Sequence, residues 1–198
     1  MTGPIRSGLG ALLDRRRSTK AYRPTPIDSA AVHGLIATVE GAGRDGRRGY
    51  GSAHARYGVH VTVITRAVAG LTAAAYRYDR ALDELVTVVD GDFLAAVAGA
   101  TLDADWLAHC PAALVLSADI AAADDAFVDQ GHHRGTRFCW IETGLIAQNV
   151  YLWAAENDFG TVLLGGLDDA AMAAAAVRLI PPEQTITAVM PIGVPTSR

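Results

Sequence analysis

Behind Pro111 the chain runs Ala112-Ala113-Leu114-Val115-Leu116-Ser117-Ala118, apolar but for one small hydroxyl. A short run of this kind reads as a strand buried on both faces, in the middle of a sheet. The rest of the chain must then supply neighbouring strands and a cover. Tyr57 to Thr65 alternates and is rich in Val and Ile, a second strand. Ala74 to Asp79 and Glu84 to Val89 follow, joined by the turn Asp79-Arg80-Ala81-Leu82-Asp83. Such a meander is antiparallel. Thr161 to Leu164 reads as a short strand and Thr185 to Ile192 as a last one.

Helical patterns lie between these strands. Gly8 to Arg16 is a short helix with Ser7 as candidate N-cap, and Asp28 caps a second through about Glu40, with Ala31, Leu35, Ile36 and Val39 at helical spacing. Asp92 to Ala100, Asp103 to His109, the acidic stretch from Asp119 and Asp169 to Leu179 read as shorter helices. Arg137 to Asn157 is the longest. Phe138, Ile141, Leu145, Leu152 and Ala155 form one stripe, widened by Ile146, Val150 and Trp153. A helix apolar nearly all round is a core helix, and Glu142, Gln148 and Asn149 on it then need partners or a wet cavity. Strands and helices together predict an α+β domain spanning 1–198, alone or as one protomer of an intertwined dimer.

Composition removes several function classes. Against 17 basic residues stand 21 acidic ones, a net charge of −4, so there is no electrostatic footprint for nucleic acid. No apolar run is long enough to span a bilayer. Met1-Thr2-Gly3-Pro4-Ile5-Arg6 has no apolar h-region, so the expectation is a cytoplasmic protein. Cys110 and Cys139 are far apart, without metal-ligand spacing, and read as reduced thiols. His132-His133 are adjacent, so on a helix they point apart and no third ligand stands near; no metal site is expected.

Three stretches carry ligand chemistry. Arg15 to Tyr22 packs three arginines, a serine and Lys20, the sole lysine of the chain, into eight residues. Guanidinium, hydroxyl and ammonium together suit a phosphate, although a solvated helix end reads equally well from this stretch alone. Gly41 to Arg56 is a Gly- and Arg-rich loop in which Ser52 and His54 could donate to a ligand. Gly165-Gly166 stand between a strand and a helix start, where backbone N–H groups are exposed.

In this order the pieces resemble the FMN-dependent nitroreductase superfamily. Arg16-Arg17-Ser18-Thr19-Lys20-Ala21-Tyr22 is similar to its N-terminal Arg-x-Ser-x-(Arg/Lys)-x-(Phe/Tyr) motif. Leu164-Gly165-Gly166-Leu167-Asp168 resembles the segment whose backbone N–H faces flavin N5, and Pro191-Ile192-Gly193-Val194-Pro195 the closing motif. Gly51 to Arg56, Val68 to Leu71, Ala75 to Asp79 and the Ile141–Leu152 helix resemble the SagB-type branch, whose members oxidise peptide thiazolines and oxazolines to azoles. Gln130-Gly131 stand about where that branch carries a Lys-Tyr acid–base pair, and Leu145 where its helix carries a His.

The resemblance implies a nitroreductase-like fold, a mostly antiparallel sheet flanked by helices in an intertwined homodimer with FMN at the interface. It implies that Arg16, Ser18 and Arg198 hold the phosphate end, with Arg17 adjacent in the cofactor-binding motif and Lys20 near the pyrimidine edge. Leu164, Gly165 and Gly166 would face N4/N5, and Ser52, Ala53 and His54 would approach from the other protomer. Hydride would pass between N5 and a peptide-derived or other small-molecule substrate, with His54, Tyr57, His132, His133 and Glu142 as candidate bases. Three alternatives stand beside it: an NAD(P)H-dependent reductase of nitro, quinone or enone acceptors, a non-catalytic flavin-binding subunit of a biosynthetic complex, and a flavin-independent binding protein.

Overall fold

In the computed structural model, which describes residues 8–41 and 46–196, all seven residues of Ala112–Ala118 are buried. In chain order the elements are α1 (Gly8–Arg15), β1 (Ile27–Asp28), α2 (Ser29–Glu40), β2 (Val59–Thr65), β3 (Val68–Ala69), β4 (Ala74–Asp79) and β5 (Glu84–Asp90). Then come α3 (Leu94–Gly99), β6 (Ala112–Ala118), α4 (Ile120–Ala126), α5 (Arg134–Glu156), α6 (Asp169–Ala176) and β7 (Thr185–Ile192). Five strands form one antiparallel sheet in the order β5-β4-β2-β6-β7, and β1 pairs parallel with β3 in a two-stranded ribbon. The expected meander is β2-β4-β5, and β6 lies between β2 and β7.

Alternation along β6 divides the core. Leu114 and Leu116 face Leu35, Ile36 and Val39 of α2 and Ile146 and Val150 of α5. Ala113 and Val115 face the opposite cluster, with Leu94, Val97, Leu107, Met172 and Leu179. A strand dry on both sides therefore has helices on both sides. Asp28 caps α2 as its sequence predicts, Oδ1 accepting from Ala30 N at 2.8 Å, and the structure adds a cap on α6, where Asp168 Oδ1 accepts from Ala171 N at 2.9 Å. Ser7, the candidate cap of α1, lies outside the described residues.

Two readings are corrected. Thr161–Leu164 is not a strand: it makes isolated bridges from Thr161 to Ser18 and from Leu164 to Val189, while the preceding Gly160 bridges to Gly193, so three neighbours divide its backbone groups. The stripe on α5 is rotated. Its buried residues are Gly135, Cys139, Glu142, Thr143, Ile146, Ala147, Val150 and Ala154, whereas Ile141 and Leu145 of the expected stripe are exposed with Trp140 beside them. Small and polar residues face the sheet, because Glu142 and Thr143 find hydrogen-bond partners there.

Candidate functional site

The helix α1 ends at Arg15, and the following segment runs extended beside the 160–164 segment. Thr19 N donates to Thr161 O at 2.9 Å. The two backbones come close because residue 160 is glycine: a Cβ there would lie 2.6 Å from Thr19 Cγ2. The basic residues then separate by role. Arg15 pairs with Asp158 at 3.0 Å. Arg17 Nη1 donates to the Asp14 and Arg16 carbonyls at 2.7 and 2.9 Å, closing the end of α1. The guanidinium carbon of Arg16 stands 5.1 Å from the centroid of the Tyr151 ring and has no carboxylate partner among the described residues. Lys20 likewise has no ion pair among them.

Ser18 Oγ lies 3.2 Å from the Tyr151 hydroxyl, which in turn accepts from Leu163 N at 2.9 Å. Tyr151 thus joins the Arg16–Lys20 segment to the segment that leads to the glycine pair. Leu164 is committed to the core and exchanges backbone hydrogen bonds with Val189 at 2.9 and 3.0 Å. Gly165 and Gly166 are exposed and their N–H groups have no protein acceptor among the described residues. A cavity of about 830 Å³ opens beside Ser18, lined also by Asp14, Arg15, Arg17, Lys20, Tyr151, Asp158, Phe159 and Pro195; Gly165 and Gly166 are not in its lining. Arg198 lies outside the described residues.

Ser52, Ala53 and His54 sit elsewhere. The Ser52 hydroxyl donates to Glu142 Oε1 at 2.5 Å and accepts from Tyr57 N at 2.7 Å, and Val59 N donates to Glu142 Oε2 at 3.3 Å. His54, Ala55 and Tyr57 all have φ of +54°, a left-handed conformation costly for side-chain-bearing residues. His54 stacks edge-on against Phe127 at 5.5 Å, and Arg56 lies over the same ring at 5.3 Å. Tyr57 accepts from Arg48 N at 3.2 Å and lies under the Arg48 guanidinium at 4.7 Å. Of the candidate bases, Glu142 is therefore a buried anchor of this loop, Tyr57 is held by Arg48, and His54 is exposed.

The two loops are carried by opposite sides of α5. Glu142 and Tyr151 are nine residues apart, about 14 Å along the axis and roughly half a turn round it. Within one chain the structure does not bring the Ser52 loop and the Arg16–Lys20 segment together. Sequence reading missed Tyr151 altogether, since it stands at a variable position of the helix motif and meets Ser18 across 133 residues.

His132 and His133 are both exposed; His133 Nδ1 lies 3.3 Å from Asp124 Oδ2. Among the described residues no three His, Cys, Asp or Glu side chains gather as a metal site, and no helix is long and apolar enough to cross a membrane. Cys110 and Cys139 are buried free thiols. Burial pushes Cys110 up to about 12 and, with the Glu142 charge beside it, Cys139 up to about 11.

The donor set fits a flavin mononucleotide. Among the described residues the Arg16 guanidinium and the Lys20 ammonium have no anionic partner and the Gly165 and Gly166 N–H groups no acceptor, and a hydroxyl lies between the two cations in sequence. The cavity falls within the roughly 300–1,000 Å³ of small-molecule sites. An α+β domain with helices on both faces of an antiparallel sheet, and a cleft that presents Ser18 and Lys20, suits a flavin oxidoreductase domain.

Comparison with known proteins agrees. The nitroreductase family model matches residues 13–194. A protein of Methanocaldococcus jannaschii named "Putative nitroreductase MJ1384" is 30% identical over 159 residues, 80% of this chain and 78% of its own length. Among solved structures, one from Anabaena variabilis superposes with a TM-score of 0.80 at 20% identity, covering 98% of this chain but 39% of that one. One from Ralstonia eutropha has a TM-score of 0.76 at 21% identity, covering 100% and 89%. The E. coli microcin synthetase McbBCD, solved with truncated pro-MccB17 bound, has a TM-score of 0.75 at 20% identity, covering 90% and 68%. The chain belongs to the nitroreductase family, a family of FMN-dependent oxidoreductases.

Proposed function

We propose that this chain is an FMN-dependent oxidoreductase of the SagB type, acting as a homodimer on a peptide-derived or other natural-product intermediate in an azoline-to-azole type of dehydrogenation. The observation that carries the flavin reading is the cavity lined by Ser18 and Lys20, with the Arg16 guanidinium 5.1 Å from the Tyr151 ring that lines the same cavity. When bound, FMN supplies hydride acceptance at N5. The chain's part is to fix the phosphate with Arg16 and Ser18, place Lys20 at the pyrimidine edge, and offer backbone N–H groups beyond.

Two observations support the dimer. The Ser52–His54 loop lies across α5 from the Arg16–Lys20 segment, so both reach one flavin only if they come from two copies. Trp140, Ile141 and Leu145 on α5 are also 53%, 51% and 40% exposed, and the space beside Gly144 is open. A contiguous apolar face of this kind marks a protein contact. The fold shared with a synthetase that holds truncated pro-MccB17 supports a peptide-derived substrate.

Gln130-Gly131 favours a second reading, an NAD(P)H-dependent reductase of nitro, quinone or enone acceptors. Gln130 is exposed and carries no acid–base group, and such a reduction needs little acid–base assistance.

Flavin titration of the purified protein tests the first claim. Wild type should bind FMN and show the visible flavin band, and Arg16→Ala or Ser18→Ala should each weaken binding about tenfold or more. Protein that is colourless and ignores added FMN would sink the proposal. Rapid-mixing reduction by NADPH, compared with reduction by an azoline peptide, separates the two readings.

A further inference from the structure

We infer that Tyr151 is a positioning residue that sets the direction of the Ser18 hydroxyl, and so gives the site its selectivity for a phosphorylated flavin. The inference rests on the FMN reading above and concerns how the chain discriminates FMN from the same flavin without its phosphate.

The argument is one of donors and acceptors. A tyrosine hydroxyl has one proton to give and two lone pairs to receive. Leu163 N, at 2.9 Å, can only donate, so it occupies a lone pair of the Tyr151 oxygen. The Tyr151 proton then has one protein acceptor among the described residues, Ser18 Oγ at 3.2 Å. Either hydroxyl can donate across the Tyr151–Ser18 contact, and the more acidic phenol is the better donor, so the order is Leu163 N–H to Tyr151 and Tyr151 O–H to Ser18. Ser18, already receiving, has no other protein acceptor for its own proton among the described residues. That proton is left for an anion at the cleft that Ser18 and Tyr151 both line.

A chain of hydrogen bonds aligned this way polarises each member, so the last donor is stronger than an isolated serine. Arg16 adds a cation over the Tyr151 ring, 5.1 Å from its centroid. Without the Tyr151 hydroxyl, Ser18 loses its fixed direction and the Leu163 N–H loses its acceptor. The sequence offers no other side chain at this point: Thr19 and Ala21 lie on the alternate positions of the segment, and Thr19 packs on Gly160.

The test compares FMN and riboflavin binding by the full chain stripped of flavin, for wild type, Tyr151→Phe, Ser18→Ala and the double variant. Tyr151→Phe keeps the ring and the Arg16 stack. It should weaken FMN binding about tenfold while leaving riboflavin within about twofold of wild type. The double variant should be no weaker for FMN than Ser18→Ala alone, because Tyr151 acts through Ser18. Equal losses for FMN and riboflavin, or full additivity in the double variant, would overturn the inference in favour of a merely structural tyrosine. So would wild-type FMN affinity in Tyr151→Phe. Should Tyr151→Phe fold poorly, Ser18→Ala carries the test alone: it must lose FMN selectively, and an equal loss of riboflavin overturns the inference. Wild-type protein that binds neither flavin overturns the FMN reading itself, an outcome distinct from all of these.

Discussion

Ser52 and Glu142, ninety residues apart, meet at 2.5 Å, hydroxyl donating to carboxylate, with the carboxylate buried. Glu142 also receives Val59 N, and Ser52 receives Tyr57 N. One acidic side chain on α5 thereby holds both ends of a loop whose His54, Ala55 and Tyr57 sit in left-handed conformations. Such conformations persist where the surroundings over-determine them.

Glu142→Ala should therefore destabilise the fold by about 1–3 kcal/mol, since it leaves buried donors without an acceptor. Glu142→Gln, which keeps an acceptor for Ser52, should cost less. Urea unfolding midpoints measure both; an unchanged midpoint in Glu142→Ala would show that the loop does not depend on it.

Glu40 predicts a larger loss. Its carboxylate pairs with Arg48 at 3.2 Å and Arg80 at 2.7 Å, and the Glu40 and Arg48 side chains are each only 7% exposed. Glu40→Ala strands the Arg48 cation in the core, which costs about 3–5 kcal/mol. Thermal or urea denaturation would read this, and Arg80→Ala should be milder because Arg80 is 41% exposed.

Leu145→Glu on the exposed face of α5 should leave the monomer fold intact, since residue 145 lies outside the core. If that face joins two copies, the substitution lowers the molar mass seen in light scattering and weakens FMN binding with it, because each site would draw residues from both chains. A dimer of unchanged mass would place the contact elsewhere.

The thiols give a pH signature. Thiolate is the reactive form, and burial raises Cys139 to about 11 and Cys110 to about 12. At pH 8 the Cys139 thiolate is on the order of one part in a thousand. Native protein should react with a disulfide reagent far more slowly than denatured protein, and raising the pH should expose Cys139 before Cys110. Rapid native labelling at pH 8 would contradict the burial.

Much of the scaffold was legible because its signals are local. Ala112–Ala118 and Thr185–Ile192 were read as strands with their observed limits, Asp28 as the cap of α2 and Asp169 as the start of α6, because runs, alternation and caps act over a few residues. The site was half legible. Arg16, Ser18, Lys20 and the glycine pair stand out as residue types suited to an anion, and the motif already sets Arg15 aside, but the engagement of Arg17 in closing α1 and the Arg15–Asp158 ion pair are visible only in the structure.

Sequence by itself determined that this chain needs a central dry strand, a meander beside it and helices to cover both, and it marked the cationic segment and the Gly165-Gly166 turn. Tertiary structure alone decided which face of α5 looks inward, that Thr161–Leu164 divides its backbone among several neighbours, and that Glu142 anchors a loop. It also decided that Tyr151 joins two segments twelve residues and 133 residues from it in sequence. The physical reason is range. Periodicity and capping are settled between neighbours in the chain, whereas a buried carboxylate or a tyrosine hydroxyl takes whatever donor the packed core brings to it.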